Sequence, residues 1–155
     1  MEASRRWRVA GRWGALVTQG RLVNVPARGT LAAASVSHAV VAEAQTAYLA
    51  GHNTWGQLGQ GRTSVWGTAR IALPDRIVSA AAGLGFTCLA TSDALYVSGT
   101  NVRGQMGLDQ ERGSLSFQRL ALPAVRSVCA GLDHMLVLAG AQVWACGLHT
   151  DRQLG

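Results

Sequence analysis

An internal period of 48 residues constrains this chain more than any other feature of its sequence. The segments Gly51-His-Asn-Thr-Trp-Gly-Gln-Leu-Gly59, Gly99-Thr-Asn-Val-Arg-Gly-Gln-Met-Gly107 and Gly147-Leu-His-Thr-Asp-Arg-Gln-Leu-Gly155 align without a gap, each 48 residues after the last. Three columns are identical in all copies: Gly51/Gly99/Gly147, Gln57/Gln105/Gln153 and Gly59/Gly107/Gly155. The register extends upstream through an aromatic column (Tyr48, Tyr96, Trp144) and a small-residue column (Ala50, Ser98, Cys146). His38, Phe86 and His134 keep the same spacing. A fixed period of this length marks stacked copies of one supersecondary unit.

Within a period the apolar runs are short and broken by turn residues, which suits strands and not helices of ten or more residues. The middle copy predicts strands over Ala69–Leu73, Arg76–Ala82, Phe86–Thr91 and Ala94–Ser98. The last predicts them over Phe117–Leu122, Arg126–Ala130, His134–Leu138 and Gln142–Cys146, with a tight hairpin at Ala139-Gly140. Four short antiparallel strands per unit is the layout of a propeller blade. The expectation is an all-β fold: a partial β-propeller of about three four-stranded blades. In such a ring the aromatic column fills space between blades, and the small column lets neighbouring sheets approach.

The chain divides into an Arg-rich segment, 1–21, and the repeat region, 22–155. The first segment carries Glu2 as its sole acid, and reads either as a degenerate blade or as a targeting peptide of mitochondrial type. Three units are fewer than the roughly four to eight blades that close a ring. Closure therefore calls for further repeats, for other chains, or for docking of the arc onto a larger assembly.

The Gly-x-Asn-x-x-Gly-Gln-Leu-Gly run resembles the signature of the regulator-of-chromosome-condensation repeat. So does Ala130-Gly-Leu-Asp-His134 ahead of an apolar strand. The resemblance covers roughly residues 22–155 and implies a share of a seven-bladed propeller. The family's founding member catalyses nucleotide exchange on a small nuclear GTPase through one face and contacts chromatin through the other, while many relatives serve only as interaction platforms. In the family the Gly-x-x-His loops lie on the GTPase-binding face. Carried over, this implies partner contacts for His38, Asp133 and His134, with Phe86 in place of His in the middle copy.

The same residues carry no pattern for small-molecule chemistry. All fourteen basic residues are Arg, so no lysine is present for a P-loop. The Rossmann glycine pattern fails after Gly59-Gln-Gly61 and after Gly83-Leu-Gly85. No repeat-related carboxylate pair stands ready for acid–base work. Cys129, His134, Cys146 and His149 have ligand types that zinc accepts, but Ala81, Phe86, Ser98 and Asn101 hold the same columns one period earlier. They are read as repeat positions, so no metal, cofactor or catalytic residue is assigned.

The remaining features point to binding. Trp55, Trp66 and Arg103 interrupt the repeat logic and are typical interface anchors, with Trp55 and Arg103 the leading candidates. The invariant Gln side chains are expected to tie their loops to backbone. Asn53 and Asn101 are expected to stabilise turns. The net charge of +6 favours an acidic protein face, phosphate or nucleic acid. Three cysteines at no disulfide-like spacing read as small buried hydrophobes in a reducing, intracellular compartment, with the nuclear, cytoplasmic and mitochondrial alternatives open. No apolar run approaches the roughly 18 residues of a membrane span. The leading expectation is a non-catalytic protein–protein interaction scaffold. The alternatives are a guanine-nucleotide exchange factor for a small GTPase and an RNA-contacting subunit of a ribonucleoprotein assembly.

Overall fold

The computed structural model describes residues 14–18, 21–25, 31–152 and 154, with side chains from residue 31 onward. The Arg-rich stretch 1–13, Gln153 and Gly155 lie outside the described residues. Every regular element among the described residues is a strand: β1 (Gly14–Thr18), β2 (Arg21–Val25), β3 (Leu31–Ala34), β4 (His38–Glu43), β5 (Thr46–Asn53), β6 (Ser64–Ala72), β7 (Ser79–Ala82), β8 (Phe86–Ala90), β9 (Ala94–Gly99), β10 (Ser114–Ala121), β11 (Val125–Ala130), β12 (His134–Ala139) and β13 (Gln142–Gly147). They form four antiparallel sheets. Sheet I is β3-β4-β5-β6, sheet II is β7-β8-β9-β10, sheet III is β11-β12-β13, and β1 pairs with β2. The fold is thus an all-β, unclosed partial propeller of successive meanders.

The blades are out of phase with the repeat as the sequence presents it. Ala69–Leu73 falls mostly in β6 and Phe117–Leu122 mostly in β10. Each is the outer strand of the preceding sheet and not the first strand of the next. Local alternation identifies a strand, but its sheet is set by non-local pairing: Tyr48 of β5 stands opposite Arg70 of β6, across the whole signature loop. The third sheet has three strands among the described residues, where four were expected.

The apolar side chains are buried between sheets. Val40, Leu49, Leu58, Ile77, Leu89 and Tyr96 belong to the core between sheets I and II. Cys88, Leu95, Val97, Met106, Met135 and Val137 belong to the core between sheets II and III. Successive residues of a strand face opposite ways, so β8 and β9 are covered on both faces, with Leu89 opposite Tyr96 toward one side and Cys88 opposite Val97 toward the other. This double burial explains their nearly unbroken apolar runs. Tyr96 is buried between sheets as the aromatic column predicts, whereas Trp144 on the outer strand of sheet III is half exposed.

The cysteines divide by position. Cys88 is buried and its thiol is pushed well above the ordinary range by burial. Cys146 is partly buried and is pushed up to about 11 for the same reason. Cys129 is exposed, which corrects the expectation of burial: in β11 it neighbours the inward-facing Val128, so alternation turns it out.

Candidate functional site

The signature loops follow the third strand of each sheet, and the first two staple their sheet to the next. Leu58 and Met106, the shared Leu/Met column, are fully buried in the two inter-sheet cores. Around them the loop backbone is bonded to the following sheet. Thr87 donates to Gln57 O (2.7 Å), Ser98 to Gly56 O (2.7 Å), and Cys146 to Gln105 O (3.4 Å).

Inside the first two loops the Asn and Gln side chains replace missing backbone partners. Asn101 donates to Leu108 O (2.9 Å) and Gln110 O (2.6 Å), and its Oδ1 accepts the Met106 N–H (2.8 Å). Asn53 repeats the pattern with Arg62 O and Leu58 N. Gln57 and Gln105 accept the N–H of Trp55 and Arg103 on Oε1. Asn101→Ala would strand the buried Met106 N–H and take a partner from two part-buried carbonyls, and is expected to lower stability by about 2 kcal/mol. A urea titration checks this, with the exposed Gln118→Ala as the neutral control.

At the same end of each sheet, a short turn joins the first two strands (35–37, 83–85 and 131–133). Its last carbonyl accepts the N–H that opens the signature loop: His52 to Ser37 O (2.9 Å), Thr100 to Gly85 O (2.9 Å) and Leu148 to Asp133 O (2.8 Å). Lateral bonds align the turns in a row, Ser37 Oγ to Leu84 O and Leu84 N to Leu132 O (2.9 Å). The tips of this row are Val36, Leu84 and Leu132, one apolar residue per period. Val36 is 80% exposed and Leu132 57%. Hairpin tips are ordinarily polar or Gly-rich, so a repeated apolar tip is a signal of contact. The sequence carries it at the repeat spacing, each tip flanked by Ser, Gly or Asp.

The expected contact residues occupy different layers of this end. Trp55 is exposed and its indole lies over Gly85, where a Cβ would stand 2.5 Å from Cε3. Arg103 is exposed one period later, beside the exposed Val102. Asp133 and His134 are half-buried. The His134 ring folds back so closely that a Cβ at Gly131 would meet Cε1 at 2.2 Å. His38 lies inside: it is 1% exposed, Nδ1 meets Ser37 Oγ (2.9 Å), and Nε2 meets Thr87 Oγ1 of sheet II (2.6 Å). Burial first, then the neighbouring His52 charge, lowers its pKa to about 4. His38 is thus a neutral clamp between sheets, while Trp55, Arg103, Val36 and Leu132 face outward and Leu84 is half-buried.

No protein-family model and no curated protein matches this chain. Solved structures do. Human WBSCR16 superposes with a TM-score of 0.70 at 17% identity, over 83% of this chain and 36% of that one. Yeast RCC1 (Prp20), in its structure with Kap60, superposes with a TM-score of 0.66 at 21% identity, over 83% and 34%. The chain spans about a third of the length of each. Over its described sheets, this protein has the fold of an RCC1-like β-propeller.

Proposed function

We propose that the chain is a non-catalytic protein-interaction scaffold whose contact face is the end of the sheets carrying the turns 35–37, 83–85 and 131–133 and the signature loops. The observation that carries this reading is the bonded row of turns with outward apolar tips. Exposed apolar side chains on a rigid frame give contact area with little ordering cost. Trp55 and Arg103 supply the anchor types that dominate interface energetics. The RCC1-like fold supports it as well, because RCC1 itself is seen bound to a protein, Kap60.

Replacing Trp55 and Arg103 together by alanine is expected to weaken partner capture by tenfold or more, at roughly 1–2 kcal/mol for each anchor, with the circular dichroism spectrum and melting temperature of the parent. Both side chains are exposed, which is why the fold survives. Unchanged capture would remove this face from the reading. Stimulated release of labelled guanine nucleotide from a small GTPase, lost on Asp133→Ala, would instead give the face an exchange-factor role.

A further inference from the structure

The two described junctions between blades differ at one buried amide. Between sheets II and III, Gln105 accepts the Arg103 N–H on Oε1 (2.8 Å) and donates from Nε2 to the Asp133 carboxylate (3.5 Å). Between sheets I and II, Gln57 accepts the Trp55 N–H in the same way (3.1 Å) and is equally buried, yet its Nε2 has no hydrogen-bond partner. The difference traces to one position, since the residue one period before Asp133 is Gly85. A buried donor left without an acceptor carries its full desolvation penalty.

The space that a side chain at 85 would enter is taken by the Trp55 indole. That indole is 47% exposed, so the cover over this place is a side chain with room to swing outward. The charge around it points one way. Residues 35–37, 51–63 and 83–85 include Arg62 and no Asp or Glu, whereas the loops at the other junction include Asp109, Glu111 and Asp133. The missing element at the first junction is therefore an acceptor, and the loops around it favour one with negative charge.

We propose that the protein partner inserts an Asp or Glu side chain here, displacing the Trp55 indole from Gly85 and accepting a hydrogen bond from Gln57 Nε2. It would fill from outside the place that Asp133 fills from within. The inference rests on the loop-face reading above and adds the chemistry that the face selects. The apolar tips of Val36 and Leu84, joined through the Ser37–Leu84 bond, flank the place and favour apolar residues beside the acid.

The test is an array of immobilised decapeptides with Asp, Glu, Ala or Lys at the centre of a fixed Leu/Ser background, probed with the full chain. Asp and Glu peptides should be retained about tenfold more than Ala or Lys peptides, as a charge-assisted hydrogen bond gives. The Gln57 side-chain amide resonance should shift with the Asp peptide and not with the Ala peptide. A double variant, Trp55→Arg with Gly85→Asp, rebuilds the Arg103/Asp133 arrangement at the first junction. It should lose the acid preference while melting no lower than the parent. Equal retention of Asp and Ala peptides, a silent Gln57 amide, or a double variant that keeps the preference each overturns the proposal. If retention is equal but vanishes in Val36→Ser/Leu132→Ser, the loop face stands and the acid falls. If that variant also changes nothing, or no peptide is retained, both fall.

Discussion

Gly99→Ala is expected to be among the most damaging single methyl additions in the described residues, lowering stability by on the order of 3–4 kcal/mol. Gly99 sits at φ +119°, and a Cβ there would stand 2.1 Å from Gly85 O and 2.7 Å from Phe86 Cα. Both are backbone atoms of the paired strand's entry, so no rotamer change relieves the clash. Gly85 O also accepts the Thr100 N–H that joins the turn to the signature loop, so the added methyl pries apart the contact that the repeat preserves. Gly51 and Gly147 stand against Ser37 O and Asp133 O in the same way, which accounts for the invariant column. The control is Gly140→Ala in the two-residue hairpin turn: φ is +59° with nothing within 4 Å, so only the left-handed backbone cost of about 1 kcal/mol applies. Urea midpoints of the two variants separate the contributions, and equal losses would refute the close-approach explanation.

Acidification is expected to destabilise the protein through His38. The ordinary pKa of 6.5 holds in the unfolded chain, whereas the folded value is about 4. Between these values the unfolded state binds the proton and the folded state does not. Stability is therefore complete above about pH 6.5 and is lost as pH falls toward 4, by roughly 3 kcal/mol in all. The Thr87 hydroxyl gives its proton to Gln57 O, so the neutral ring carries its hydrogen on Nε2 and donates to Thr87 Oγ1, and burial is what chiefly opposes a second proton on Nδ1. Phe86 occupies the same column in sheet II, and His38→Phe is expected to flatten the pH slope of the urea midpoint between 4 and 6.5. A slope unchanged by that substitution would assign the acid sensitivity elsewhere.

Much of this architecture is legible in the residues because the period is strict where sheets meet. The Gly, Asn and Gln columns recur because each answers a demand that returns at every junction: a backbone approach too close for a Cβ, or buried loop carbonyls and N–H groups that need side-chain partners. The Leu58/Met106 column recurs because each loop plugs the next core. Phase was not legible. Nothing in the alternation of Ala69–Leu73 or Phe117–Leu122 says which sheet they join, because β6 and β10 are assigned by pairing across a long loop. Cys129 looked internal from its apolar neighbours, though strand alternation turns it outward. The apolar tips Val36, Leu84 and Leu132 escaped notice because a lone apolar residue in a turn carries no meaning until three of them stand in one row. The contrast between Gln57 and Gln105 was invisible for a related reason. The two residues are identical, and the difference lies at positions 85 and 133, in segments that only folding brings beside them.

The central claim, that this end of the sheets is a protein-contact face, is most directly tested by site-specific photo-crosslinking in cells that make the protein. A photoreactive residue at Val36 or Leu132 is compared with one at Gln45 or Ser92, in the exposed turns at the opposite end of the sheets. The account predicts discrete protein adducts from Val36 and Leu132, lost when Trp55 and Arg103 are replaced by alanine, and none from Gln45 or Ser92. Adducts from Gln45 and Ser92 alone, or nucleic-acid adducts in place of protein ones, would contradict it.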